Sequence, residues 1–128
     1  MNIYIYHEIC MKDSREIALE DLKEMLSVIK KSKEKYFIIT HGTYTMPDTA
    51  RYLESHLENT DKTIILVWSM IPLTGFSPSD AWFNLWFAVW NIAHVKAWVY
   101  VWMNWSLFVA NEVSKLISDW RFISLFNN

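Results

Sequence analysis

Three short, unbroken apolar runs constrain this chain more than any other feature: Tyr36-Phe37-Ile38-Ile39, Thr63 to Val67, and Val99 to Met103. A strand that is apolar at successive positions buries both faces, and strands of that kind occur in parallel sheets covered by helices. The stretches between them carry helical spacing. Leu22, Met25, Leu26 and Ile29 recur at i, i+3, i+4 and i+7 with charged residues between them, which predicts a helix with one buried and one solvated face. Lys30 to Lys35 forms its basic end, favourable at the negative pole of the helix dipole. A second helix is expected from Pro47 to Leu57, with Thr45 as cap, Pro47 in the first turn, and Thr49, Tyr52, Leu53 and Leu57 on one face. Strands alternating with such helices imply an α/β fold with right-handed crossovers and a mainly parallel, helix-covered sheet.

The remaining elements follow from the same periodicities. Asn2 to Ile9 alternates Ile3 and Ile5 with Tyr4 and Tyr6 and reads as a strand. Ser77-Pro78-Ser79-Asp80 opens a helix running to about Ala93, with a seam at Leu85, Ala88, Val89 and Ile92. Leu107 to Val109 returns beside the strand at Val99 to Met103, and Val113 to Ile117 reads as a final short helix. With 128 residues and no internal linker, one domain is expected. A net charge of −2, without a basic stripe, argues against nucleic acid as partner. The apolar stretch Ala81 to Ala110 breaks near His94-Val95-Lys96 into pieces too short to cross a bilayer, and Asn84, Asn91 and Asn104 would need partners there. A lone cysteine, Cys10, and an N-terminus without signal-peptide character point to the cytoplasm. His7, His56 and His94 lack metal-ligand spacing and read as structural or surface residues.

Chemistry concentrates in His41-Gly42-Thr43-Tyr44-Thr45-Met46-Pro47-Asp48-Thr49-Ala50, which follows one apolar run and opens a helix. In α/β sheets this is where strand ends hold ligands. The hydroxyls of Thr43 and Thr45 could equally serve as helix caps.

The tryptophans raise a separate question. There are eight, at positions 68, 82, 86, 90, 98, 102, 105 and 120, against two glycines. Asn104-Trp105 stands where a tight hairpin asks for Asn-Gly, and Asp119-Trp120 reads like an Asp-Gly turn. Trp82, Trp86 and Trp90 widen the apolar face of their helix past half its circumference. Three explanations are open: a tryptophan-rich core, an exposed aromatic patch that binds a partner or ring-bearing ligand, or a stop codon reassigned to glycine but read as tryptophan. The third alone explains the turn positions and the composition together.

Several segments in order resemble the asparaginase/glutaminase family. The stretch from His41 is similar to its His-Gly-Thr-Asp-Thr-Met signature, and Met11-Lys12-Asp13-Ser14-Arg15 to its substrate-contacting Asp-Ser segment. Val67-Trp68-Ser69-Met70-Ile71-Pro72 resembles Thr-Gly-Ser-Met-x-Pro, and Ser79-Asp80-Ala81-Trp82-Phe83-Asn84-Leu85 resembles Ser-Asp-Ala-x-Phe-Asn-Leu. Val99 to Trp105 resembles Val-Tyr-x-x-Met-Asn-Gly, and Val113-Ser114-Lys115 the stretch holding a catalytic lysine. The likeness is greatest to the short single-domain members. It sets glycine opposite Trp68, Trp86, Trp98, Trp105 and Trp120, whereas the family varies at Trp82, Trp90 and Trp102.

The resemblance implies a three-layer sheet of Rossmann-like or flavodoxin-like type. It also implies hydrolysis of the side-chain amide of asparagine or a related small amide, releasing ammonia without metal or cofactor. Thr43 would be one of two catalytic threonines and Lys115 would activate its hydroxyl. Asp13, Ser14 and Tyr44 would lie on the substrate's side, and backbone donors near Trp68 and Ser69 would stabilise the oxyanion. Residues 1–128 would form one N-terminal asparaginase-like domain lacking the first strand and its Gly-Gly-Thr-Ile segment, and Tyr44 stands where the family has an aspartate. The alternative is a silent module that keeps the pocket and binds without turnover; a homo-oligomer that completes the site is left open.

Overall fold

The computed structural model describes residues 4–69, 78–119 and 121–126. The three apolar runs form strands β1 (Tyr36–Thr40), β2 (Thr63–Val67) and β3 (Val99–Met103), all parallel. β4 (Ser106–Val109) returns antiparallel on β3, giving the order β1-β2-β3-β4. Helices α1 (Leu19–Lys31), α2 (Met46–His56) and α3 (Ala81–Asn91) link or flank these strands. The expected α/β fold with a mostly parallel sheet is the fold observed.

Burial explains why the central strand carries no polar alternation. Every residue of β2 is buried, because successive side chains point to opposite faces and both faces are covered. Ile64 and Leu66 join Val99, Val101 and Met103 of β3 against Met25, Leu26 and Ile29 of α1 and Leu53 of α2. Ile65 and Val67 face the other way, with Trp102, toward Ala88 of α3 and Ile92 just beyond it. Each fully buried leucine or isoleucine in these layers contributes about 1.5–3 kcal/mol relative to exposure.

The ends of α1 show how local charge sets a helix. The Asp21 carboxylate accepts the Ala18 backbone N–H at 2.8 Å and the Lys12 ammonium at 2.8 Å. These bonds, Lys12 first, hold its carboxyl below the ordinary aspartate value. Lys30 and Lys31 occupy the last turn, where cations complement the dipole.

Two expectations are corrected. The predicted N-terminal strand is not one: residues 4–9 pair with no strand, and Tyr4, Ile5 and Tyr6 are 76%, 61% and 82% exposed; Asn2 and Ile3 lie outside the described residues. Alternation supplies β-propensity, but a strand also needs a free edge in register. The second correction is Val113 to Ile117, expected as helix. Val113–Leu116 is strand β5, paired antiparallel with β6 (Arg121–Ser124) in a separate two-stranded sheet. Four or five residues are too few for periodicity to tell a strand from a helix turn. Antiparallel pairing decided the outcome, and the second strand was not anticipated.

The tryptophans divide by position. Trp82, Trp86 and Trp90 point outward at 63%, 70% and 77% exposure, while α3 buries Ala81, Asn84 and Ala88. Trp102 is buried against Phe87 with ring centroids 3.5 Å apart. Its indole N–H is the one buried side-chain polar atom without a partner among the described residues, an arrangement that costs about 1–3 kcal/mol. Trp120, Met70, Ile71, Pro72 and Ser77 lie outside the described residues. No helix of the described residues is long and apolar enough to cross a membrane.

Candidate active site

The segment His41 to Thr45 leaves the carboxyl end of β1 beside that of β2, the His41 N–H donating to the Val67 carbonyl at 3.1 Å. Two interactions then set its path. Gly42 packs onto Ser14 so closely that a Cβ at position 42 would stand 2.8 Å from the Ser14 Cβ and 2.9 Å from its Oγ. Any side chain there would push the two segments apart. The Thr45 hydroxyl, expected as a helix cap, donates instead to the Ser14 carbonyl at 2.7 Å. α2 begins without a side-chain cap bond, so the hydroxyl's energy goes into joining two loops rather than starting a helix.

His41 anchors the segment from inside. Its ring is buried, with Nδ1 2.7 Å from the Gly42 carbonyl oxygen and Nε2 2.8 Å from the Thr49 Oγ1. A carbonyl only accepts, so Nδ1 carries the proton, and Nε2 accepts from the Thr49 hydroxyl. Burial lowers the imidazole pKa, outweighing the opposing bond to Gly42. The neutral ring therefore holds the carbonyl of the peptide that leads into Thr43.

Thr43 meets a residue distant in sequence. The Lys115 Nζ donates to its Oγ1 at 2.8 Å. β5 makes this contact possible: in a strand Lys115 shares the face of Val113, whereas in the expected helix it would turn roughly 200° away from it. Val113 is fully buried in the larger core, and the Arg51 guanidinium of α2 donates to its carbonyl. Partial burial lowers the Lys115 pKa from 10.5, increasing the share of neutral amine able to accept a proton.

Tyr44, next in the chain, is half exposed, with the Arg15 Cζ 5.5 Å and the Lys115 Nζ 5.7 Å from its ring centroid. Both distances lie within cation–π range. Asp13 is occupied by Arg15, accepting its backbone N–H at 2.9 Å and its Nε and Nη2 at 3.0 Å. Those bonds hold its carboxyl down at about 2. Ser69 is buried two residues past β2, near where Asn84 of α3 donates to the Trp68 carbonyl at 2.7 Å and to Asp80 at 2.9 Å.

Of the expected site residues, the structure joins Thr43, Tyr44 and Lys115 through direct contacts, and Ser14 meets their loop through Gly42 and Thr45. Asp13 reaches them by way of Arg15, and Ser69 makes no hydrogen bond to any of them. The sequence reading gave no role to Arg15, His41 or Arg51. His41 lay within the motif, but only its partner Thr49, one turn into α2, shows what it holds. Arg51 carries no local signal, since its acceptor is 62 positions away. No cluster of three His, Cys, Asp or Glu side chains suited to a metal occurs among the described residues.

The chain matches known proteins along most of its length. The family described as Asparaginase, N-terminal, matches residues 2–122. The chain is 40% identical over 116 residues to a glutaminase-asparaginase of Acinetobacter glutaminasificans, covering 80% of this chain and 34% of that protein. It is 34% identical over 112 residues to L-asparaginase 1 of Escherichia coli K12, covering 85% and 33% respectively. L-asparaginase I from Vibrio cholerae superimposes with a TM-score of 0.83 at 30% identity, over 94% of this chain and 38% of that one. This chain thus spans about a third of the length of these curated relatives. With a match from residue 2 to residue 122 and this agreement in fold, the chain belongs to the asparaginase family and corresponds to its N-terminal part.

Proposed function

We propose that this chain carries the Thr43 half of an amidohydrolase site acting on the side-chain amide of asparagine or a related small amide. The observation that carries the reading is the 2.8 Å bond between the Lys115 Nζ and the Thr43 Oγ1. A threonine hydroxyl is a weak nucleophile until a base takes its proton, and an amine with a lowered pKa suits that task at moderate pH. In the reaction the hydroxyl oxygen of an activated threonine attacks the amide carbon and its proton passes to the lysine amine. The tetrahedral oxyanion collapses as the C–N bond breaks, the leaving nitrogen takes up the proton, and ammonia departs. Water then cleaves the acyl ester and returns the hydroxyl. Thr43 either attacks itself or relays the proton for a second threonine.

The relatives' names support the substrate class: they are a glutaminase-asparaginase and asparaginases. Ser14 and Tyr44 lie on the substrate's side in this reading, Ser69 contributes near the oxyanion, and Asp13 acts by holding Arg15 in place. The single cysteine, Cys10, suits a reducing compartment and supports a cytoplasmic reading.

Ammonia release from asparagine and from glutamine tests the proposal. Activity that falls by about 10²–10⁴-fold in Thr43→Ala and in Lys115→Met, with folding retained by circular dichroism, is the expected result. Lys115→Met should also remove an ascending pH limb lying below the ordinary lysine value. Amide binding without ammonia release would instead make the chain a binding module, and unchanged turnover in both variants would remove Thr43 and Lys115 from the chemistry.

A further inference from the structure

We propose that the eight positions written as tryptophan are glycine in the protein its source cell makes, the codon being a stop triplet which that cell decodes as glycine. The backbone carries the first argument. Met103 of β3 pairs with Ser106 of β4, so Asn104 and Trp105 alone form the hairpin loop. Their φ angles are 51° and 64°, the pair of left-handed residues that marks the two-residue turn with the Asn-Gly preference. Asparagine tolerates this region and a bulky side chain does not. Among the described residues, the positive-φ positions are Asn59, Asn104 and Trp105, and no glycine is one of them. Trp105 is 76% exposed, so burial offers little to offset the strain.

Solvation carries the second argument. Trp82, Trp86 and Trp90 stand at successive four-residue steps of α3, each more than 60% exposed. They present an indole-rich helix face of a kind that monomers rarely expose. Where a tryptophan is buried, at position 102, its N–H has no acceptor. Three environments, a left-handed turn, an open helix face and a dry strand, thus misfit the same residue type, which local strain or a binding patch alone would not produce.

Composition carries the third. Tryptophan and glycine together make ten residues of 128, near the roughly 7% that glycine alone normally supplies. There is also a consequence for the site. Trp68 follows the Val67 carbonyl to which His41 is bonded, and immediately precedes Ser69. Glycine there removes the indole that packs against the core and leaves only backbone beside the strand end that the Thr43 loop leaves. This last point rests on the amidohydrolase reading; the codon assignment does not.

The coding DNA and the masses of tryptic peptides from the protein purified from its source test the assignment directly. Expected are the reassigned stop triplet at these positions and peptides lighter by the tryptophan-to-glycine difference. The ordinary tryptophan triplet TGG at position 105, or tryptophan masses, overturns it. A variant series in the chain as written tests the conformational argument without activity. Trp105→Gly should raise Tm by roughly 2–5 °C, and Trp105→Ala, which removes the ring but keeps a Cβ at positive φ, should not. If Ala stabilises as much as Gly, the turn exerts no demand for glycine and that argument fails. Because none of these readouts uses turnover, they separate the assignment from the function proposed for Thr43.

Discussion

The loop at the end of β1 and the outer side of α3 obey opposite rules. Around His41 to Thr45, small and polar side chains meet specific partners: Gly42 admits Ser14, Thr45 reaches the Ser14 carbonyl, His41 bridges Gly42 and Thr49, and Lys115 reaches Thr43. Along α3 and the β3–β4 turn, the largest side chains in the sequence face solvent or sit at a backbone angle that disfavours them. In natural chains local preference and tertiary environment usually agree. A region where side chains find specific partners, beside one where a single residue type misfits repeatedly, locates the fault in that residue type rather than in the fold.

The contrast can be tested by its energetics. The largest effect is expected in the core layer behind the ordered loop. Leu53→Ala, at a site with no exposure, should lower unfolding free energy by about 2–5 kcal/mol in urea titration; a loss below about 1 kcal/mol would show the layer between α2 and the sheet to be loosely packed.

His41 tests the ordered loop. The folded protein keeps this imidazole neutral by burial, whereas the unfolded chain protonates it below its ordinary value of 6.5. The unfolded state therefore binds more protons in that window, and stability present above pH 6.5 is lost as pH falls toward the lowered folded value. His41→Asn, which can keep a donor near the Gly42 carbonyl, should flatten that acid limb while costing about 1 kcal/mol. His41→Gln, placing its amide nearer the Thr49 side, should disturb the loop more. An acid limb unchanged in both would take the sensitivity away from His41.

The smallest effect belongs to the helix face. Trp86→Gln should change stability by no more than about 0.5 kcal/mol, because a side chain 70% exposed leaves little contact to lose. A loss above 2 kcal/mol would mean that the aromatic face is structurally engaged, and the contrast between the regions would weaken.

Much of this was legible in the residues. Unbroken apolar runs marked the three parallel strands, since a strand covered on both sides has no polar face to display. The i, i+3, i+4 spacing marked α1 and α2, and Asn-Trp between two strands marked the hairpin. Val113 to Leu116 misled because so short a segment holds less than a turn of either periodicity, and its partner strand comes later in the chain. Tyr4 to Ile9 misled because alternation reports propensity and says nothing about whether a sheet edge is free. Thr45 carried a capping signal, yet its hydroxyl donates to the nearby Ser14 carbonyl.

By itself, then, the order of residues determined the layered α/β class, the family and the loop proposed as the site, all of which depend on local periodicity or contiguous motifs. Tertiary structure decided that Lys115 meets Thr43 across 72 positions, that Asp13 is bonded by Arg15, and that His41 is a buried brace. Contacts of this kind depend on how strands and helices pack in three dimensions, and side-chain chemistry read along the chain carries no distance between residues that only folding brings together.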